Sequence, residues 1–154
     1  MIDINEILAN GKTADEYLAG APENLKEKWQ PYTGPLNNEA MNELNGLMSS
    51  FEGSIVAYSA YWCLRDCAVV VPRLKAVVEG LENKPRYTIR GGIKVDRINR
   101  KFLGLDELEP LSINKVPIII LFNKEGEEID RIVEQPKEEL EADLVNILTK
   151  YNSN

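Results

Sequence analysis

A chain of 154 residues, 44% of them hydrophobic, is long enough to bury one core and short for two. With 25 acidic against 18 basic side chains the formal net charge is −7, which disfavours nucleic acid or an anionic membrane surface as a partner. The absence of histidine removes Cys–His nucleophile pairs, imidazole acid–base catalysis and most zinc sites.

Read from Met1, the chain shows neither the basic and apolar regions of a signal peptide nor an apolar run of about 18 residues that could span a membrane. A cytoplasmic location, off the membrane, is the expectation. In that reducing compartment a structural disulfide is disfavoured, so two cysteines close together point to redox or metal chemistry. The pair lies in Tyr61-Trp62-Cys63-Leu64-Arg65-Asp66-Cys67 and includes every cysteine of the chain.

Residues 1 to about 50 read as short helices. Thr13-Ala14-Asp15-Glu16 is a capping-box pattern that starts a helix running to Gly20. Pro22 suits the first turn of a second helix carrying Leu25 and Trp29, which halts before Pro31. From Asn38 a third helix puts Met41, Leu44, Leu47 and Met48 on one face. Those methionines read as a core stripe rather than a soft-metal surface, and Trp29 as a packing anchor.

Ser54 to Ser59 reads as a buried strand. The spacing of Cys67, Val70, Val71, Leu74, Val77, Val78 and Leu81 predicts a helix, with a kink at Pro72. The thiols therefore sit where a strand hands over to a helix N-terminus, whose free amides and dipole favour a thiolate. Cβ atoms one helical turn apart are about 5–6 Å from each other, whereas a disulfide needs roughly 3.5–4.5 Å. A Cys63–Cys67 bridge thus requires Cys63 at or before the N-cap, as the more exposed, attacking thiol, with Cys67 the buried, resolving one.

Arg86 to Arg90 reads as a second strand, with its end at Gly91-Gly92 or extended through Ile93-Lys94-Val95. Asp96 is expected to cap a short helix ending near Leu103-Gly104. The cations Lys84, Arg86, Arg90, Lys94, Arg97, Arg100 and Lys101 read as solvated charge, with an acidic partner as the functional alternative. Residues 106–112 carry no assignable pattern. Pro117 to Phe122 and Glu127 to Val133 form a hairpin through Asn123-Lys124-Glu125-Gly126. Pro136 is expected to open a last helix with the acids Glu138 and Glu139 in its first turn, a solubilising surface, and Leu140, Leu144, Ile147 and Leu148 facing the core.

A strand followed by Trp62-Cys63, with Cys67 opening a helix and Pro72 inside it, resembles the thioredoxin superfamily; the Val116-Pro117 segment is similar to that family's cis-proline strand. The match is nearest to a bacterial subfamily with a helical N-terminal extension, including a segment like Thr13-Ala14-Asp15-Glu16-Tyr17-Leu18. The resemblance implies an α/β thioredoxin fold, a central mixed sheet flanked by helices, over residues 51–154, with residues 1–50 packed on it as the extension. It implies a cis Val116–Pro117 bond, packing of Pro117 against the cysteines, and pairing of the Val116 backbone with an extended substrate. The chain departs from the family in having three residues between its cysteines instead of two, in Ala57 where thioredoxins keep a buried Asp, and in Asp66 beside the thiols.

Three functions fit these residues. In the first, Cys63 and Cys67 are the catalytic pair of a thiol–disulfide oxidoreductase acting on protein or small disulfides, bordered by Tyr61, Trp62, Val116 and Pro117, with an external thiol reductant and no cofactor or metal. In the second, the two thiolates hold Cu(I). The third is a thioredoxin-fold interaction module without catalysis.

Overall fold

The computed structural model describes residues 2–29, 35–63 and 67–152. The N-terminal third is a run of helices, each started by a residue that satisfies otherwise unpaired amides. In α1 (Ile4–Asn10), for which the sequence reading drew no element, the Asp3 carboxylate accepts from the Asn5 and Glu6 amides. In α2 (Ala14–Ala19) the Thr13 hydroxyl accepts from Glu16 N at 3.1 Å, and the Glu16 carboxylate accepts from Thr13 N at 2.9 Å, completing the expected capping box. Helix α3 (Glu23–Trp29) follows Pro22, and Pro31 lies outside the described residues. Asn37 caps α4 (Asn38–Met48), which buries Ala40, Met41, Leu44 and Met48. A Thr13→Ala substitution is expected to cost about 1 kcal/mol, because it leaves helix amides unpaired. Urea unfolding against wild type measures this.

The sheet runs in the order β2-β1-β5-β6, built from β1 (Ser54–Tyr58), β2 (Arg86–Arg90), β5 (Ile118–Phe122) and β6 (Glu128–Val133). It is mixed: β1 runs parallel to β2 and antiparallel to β5, and β6 is antiparallel to β5. Parallel neighbours need a crossover, and α5 (Cys67–Glu79) supplies it. Both central strands are buried on both faces, and alternation sorts their side chains. Ile55, Ala57, Ile119 and Leu121 join a cluster with residues of α2, α3, α4, α5 and the C-terminal α6 (Leu140–Asn152). Val56, Tyr58, Ile118, Ile120 and Phe122 face the other way, toward Ile4 and Ile7 of α1 and Leu108, Leu111 and Ile113. The molecule is thus an α/β fold, a mixed sheet flanked by helices, with the N-terminal helices packed into the same core.

Two sequence expectations are corrected. Residues 94–103 form an antiparallel hairpin, β3 (Lys94–Asp96) and β4 (Lys101–Leu103), rather than a helix capped by Asp96. The Asp96 carboxylate does accept from backbone amides, those of Ile98 and Asn99, but it stabilises the turn between the strands, where Arg100 takes a φ of +54°. Helix α6 begins at Leu140, not at Pro136. The buried Asp143 carboxylate accepts from Lys137 N at 2.7 Å and Glu138 N at 3.2 Å, folding residues 137–138 back against the first turn. Glu141, in the first turn of α6, is fully buried and accepts from Arg73 Nη2 at 2.6 Å and Asn37 N at 2.8 Å.

Several of the basic residues have structural partners. Lys84 donates to the carbonyls of Val78, Glu79 and Leu81 at the end of α5, and Arg86 to Asn5. Arg90 forms a two-pronged pair with Glu107, at 2.7 and 2.9 Å, and Tyr58 also donates to that carboxylate. Burial pulls the Glu107 carboxyl upward, but the Arg90 guanidinium, a backbone hydrogen bond and the Tyr58 hydroxyl together hold the group below the usual carboxylate range. A carboxylate with a lowered folded-state pKa contributes stability above its unfolded pKa, and that contribution is lost as pH falls through the folded value. The stability gap between wild type and Glu107→Gln is therefore expected to be widest near neutrality and to narrow under acid. Urea titrations at neutral pH and well below the carboxylate range test this, and a pH-independent gap would contradict it.

Candidate functional site

Strand β1 ends at Tyr58, and the chain passes through Ser59, Ala60 and a turn at Tyr61-Trp62 before reaching Cys63. Leu64, Arg65 and Asp66 lie outside the described residues, and Cys67 is the first residue of α5. Cys63 precedes the helix, as a reachable partner for Cys67 requires. Its amide donates to the Ala60 carbonyl at 3.1 Å, and its sulfur accepts the Cys67 backbone N–H at 3.3 Å. Cys63 is half-buried, whereas Cys67 is 3% exposed. The hydrogen bond to Cys63, followed by burial, pushes the Cys67 thiol well above its ordinary pKa. The two differ in burial as expected, with Cys63 the more exposed and Cys67 buried and held protonated.

The segment ahead of β5 closes the site. The Val116–Pro117 bond is cis, and Cys63 Sγ lies 3.8 Å from the Val116 carbonyl oxygen, to which its S–H donates. The structure therefore brings Cys63, Cys67, Val116 and Pro117 together across 50 residues of sequence. Trp62 is 47% exposed beside them, with its indole N–H donating to the Ile93 carbonyl at 2.8 Å and its ring tilted against Phe102 of β4 at 5.6 Å. The hairpin is thus what holds this tryptophan. Tyr61 turns the other way, stacking on Tyr17 of α2 at 4.6 Å and donating its hydroxyl to the Tyr17 carbonyl at 2.5 Å.

Two residues behind the thiols went unread in the sequence. Ser59, 1% exposed, is buried beside them, and the Tyr17 and Ser59 hydroxyls are hydrogen-bonded at 2.8 Å. Burial raises the Tyr17 phenol, which keeps its proton. Gly91 makes room for this ring, since a Cβ there would sit 2.6 Å from Tyr17 Cε1. The only sequence signal was indirect: Ser59 lies four residues before Cys63, and Tyr17 directly follows the Thr13–Glu16 capping box. Ala57 is buried in the apolar cluster of the helical face. Among the described residues no group of three His, Cys, Asp or Glu converges, so a soft cation here would be offered the two sulfurs. No described helix is long and apolar enough to cross a membrane.

No family model and no curated protein matches the chain. Among solved structures it is similar to a protein of unknown function from Pseudomonas aeruginosa, with a TM-score of 0.74 at 13% identity over 99% of both chains. It is also similar to an HIV epitope-scaffold, with a TM-score of 0.73 at 13% identity, again over 99% of each chain. At that identity the likeness establishes a shared fold over nearly the whole chain, and nothing about activity.

Proposed function

We propose that the protein is a thioredoxin-like thiol–disulfide oxidoreductase working through Cys63 and Cys67. The observation that carries this reading is the Cys67 amide at the start of α5, directed at the half-buried Cys63 sulfur 3.3 Å away. A helix N-terminal amide stabilises a thiolate, and the thiolate is the attacking form. The order β2-β1-β5-β6, with α5 joining parallel strands and a hairpin leading into α6, fits a thioredoxin-like core, and the cis Val116–Pro117 bond beside Cys63 fits the same reading.

In the reaction, the Cys63 thiolate attacks one sulfur of a substrate disulfide, forming a mixed disulfide and expelling the other substrate sulfur as a thiolate. Cys67 then loses its proton and attacks Cys63 Sγ, which releases the second substrate thiol and leaves the Cys63–Cys67 disulfide. An external dithiol restores the pair, in keeping with a reducing, cytoplasmic setting. Val116 supplies backbone for an extended substrate peptide, and exposed Trp62 supplies apolar contact.

A redox titration followed by thiol labelling tests the reading, combined with Cys67→Ser to trap substrates. A reversible two-electron transition and mixed disulfides through Cys63 are expected. Thiols that stay free under strong oxidant, with an empty trap, would sink it.

A further inference from the structure

The hairpin that holds Trp62 has a surface of its own. Resting on the oxidoreductase reading, we infer that the hairpin of β3 and β4 is a docking surface for the substrate, and that this substrate is a protein whose disulfide lies in an acidic segment with apolar residues.

Exposed apolar side chains concentrate here. Among the described residues six large ones are exposed, and four of them, Trp62, Val95, Ile98 and Leu103, belong to the hairpin or to the tryptophan it holds. Single exposed apolar residues are ordinary on a protein surface, whereas a cluster marks a contact site. Ile98, in the turn, is 92% exposed, so the fold itself gains nothing from its side chain. The register puts Val95 opposite Phe102, and the Trp62 ring lies against Phe102 at 5.6 Å. Residues opposite each other in a ladder share a face. Trp62, Phe102 and Val95 therefore form a strip that starts beside Cys63 and leads toward the turn. Ile98 extends it by at most about 10 Å, at roughly 3.3 Å per residue.

Charge names the partner. The chain as a whole carries −7, yet residues 94–103 hold Lys94, Arg97, Arg100 and Lys101 against Asp96 alone, four cations to one anion. Elsewhere the cations are engaged, Arg73 with Glu141, Arg90 with Glu107, Arg131 with Glu128 and Lys84 with the end of α5. In the hairpin Lys101 stands opposite Asp96, but Lys94, Arg97 and Arg100 are exposed and form no ion pair among the described residues. The cleft between β4 and residues 105–114 is lined by Asp106 and Glu109 as well as Arg100 and Lys101, so its charges cancel. The acidic segment therefore belongs over the strip and the turn rather than in that cleft. The turn is already ordered, with the Asp96 carboxylate accepting from Ile98 N and Asn99 N at 3.1 Å and from Asn99 Nδ2 at 2.8 Å. A preformed tip loses little entropy when a partner binds. An anionic membrane is the other surface that a basic, apolar hairpin suits. The net charge of −7 opposes it, and the strip begins at the thiols, where a disulfide must sit.

Fluorescence anisotropy with two labelled peptides tests the surface apart from the chemistry. Both have a serine in place of cysteine and flanking leucines; one carries Asp and Glu, the other Lys at the same positions. Wild type is expected to bind the acidic peptide about tenfold more tightly, the worth of two or three exposed ion pairs, and to lose that preference in high salt. Arg97→Glu with Arg100→Asn should erase the preference; asparagine suits the positive φ of position 100. Ile98→Ser, at a side chain outside the core, should weaken the acidic peptide about threefold. The same peptides with a cysteine disulfide-bonded to mercaptoethanol are expected to react in the same tenfold ratio. Bis(hydroxyethyl) disulfide, neutral and too small to reach the turn, serves as the control. There the Cys63 thiolate takes one sulfur and one mercaptoethanol leaves as thiolate; Cys67 gives its proton to water and displaces the second, so two cysteines are oxidised and one disulfide is reduced. That rate stays at the wild-type value in both variants, which also shows that they fold.

Equal binding of the two peptides, or a preference that survives Arg97→Glu with Arg100→Asn, would overturn the docking surface and leave the oxidoreductase reading in place. So would a chain that binds phosphatidylserine vesicles through these residues and neither peptide. A wild-type chain that exchanges with none of the disulfides overturns the oxidoreductase reading, and with it the claim that what docks is a substrate.

Discussion

A Cys63→Ser variant is expected to lose disulfide exchange by at least about a thousandfold, since a serine hydroxyl stays protonated where a thiol yields a nucleophilic anion. Cys67→Ser fails differently. It keeps the first exchange and stalls as a mixed disulfide, because the group that would release it is gone. The asymmetry follows from burial and direction: Cys63 is the half-buried sulfur beside the Val116 carbonyl, and Cys67 is enclosed behind it. Insulin reduction with dithiothreitol measures turnover, and intact mass after exposure to a small disulfide identifies the stalled adduct. Equal reactivity of the two single-cysteine variants would contradict the assignment of roles.

The largest stability effect is expected at Glu141, where truncation to alanine should cost about 3–5 kcal/mol, the range for removing one partner of a buried ion pair. Glu141 is fully buried in α6, and its carboxylate receives Arg73 Nε at 3.2 Å and Nη2 at 2.6 Å from α5, and the Asn37 amide from the start of α4. Alanine leaves the buried Asn37 amide without its acceptor and Arg73 with only its longer 3.9 Å pairing to Glu139, and it detaches three helices from a common point. An Arg73→Met, Glu141→Leu double variant should recover much of the loss, because it removes both charges and keeps the volume. Urea unfolding at neutral pH decides this; a loss below about 1 kcal/mol would mean that solvent reaches the pair.

What could be read from the sequence was local. The Thr13–Glu16 box, the unbroken apolar run of β5 and the spacing of α5 each depend on neighbours within a few residues, and all three elements formed as expected. The difference in burial between the two thiols was equally legible, since Cys63 precedes α5 and Cys67 opens it. The cis bond at Pro117 was not local; it was anticipated through resemblance alone. The failures have one physical source. Asp96 offers its carboxylate to two amides in a hairpin turn just as it would at a helix start, so the residue type did not distinguish the two. Glu141 carried no signal of its own, because its cation lies 68 residues away in sequence. Ser59 and Tyr17 are separated by 42 residues, and neither has a motif that announces the other.

The short contact between Lys12 and Ile89 has a consequence for solubility. Two backbone hydrogen bonds, Lys12 N to the Ile89 carbonyl at 2.9 Å and Ile89 N to the Lys12 carbonyl at 2.8 Å, lie on the outer side of β2. Gly11 permits this approach, since a Cβ there would overlap the Thr88 hydroxyl. An uncovered outer strand is a template for pairing with another chain. Lys12 occupies that template, while Glu128, Asp130 and Arg131 put charge along the opposite outer strand, β6. Removing the first helices would therefore open a self-association edge next to apolar surface, and such a fragment should aggregate where the full chain does not.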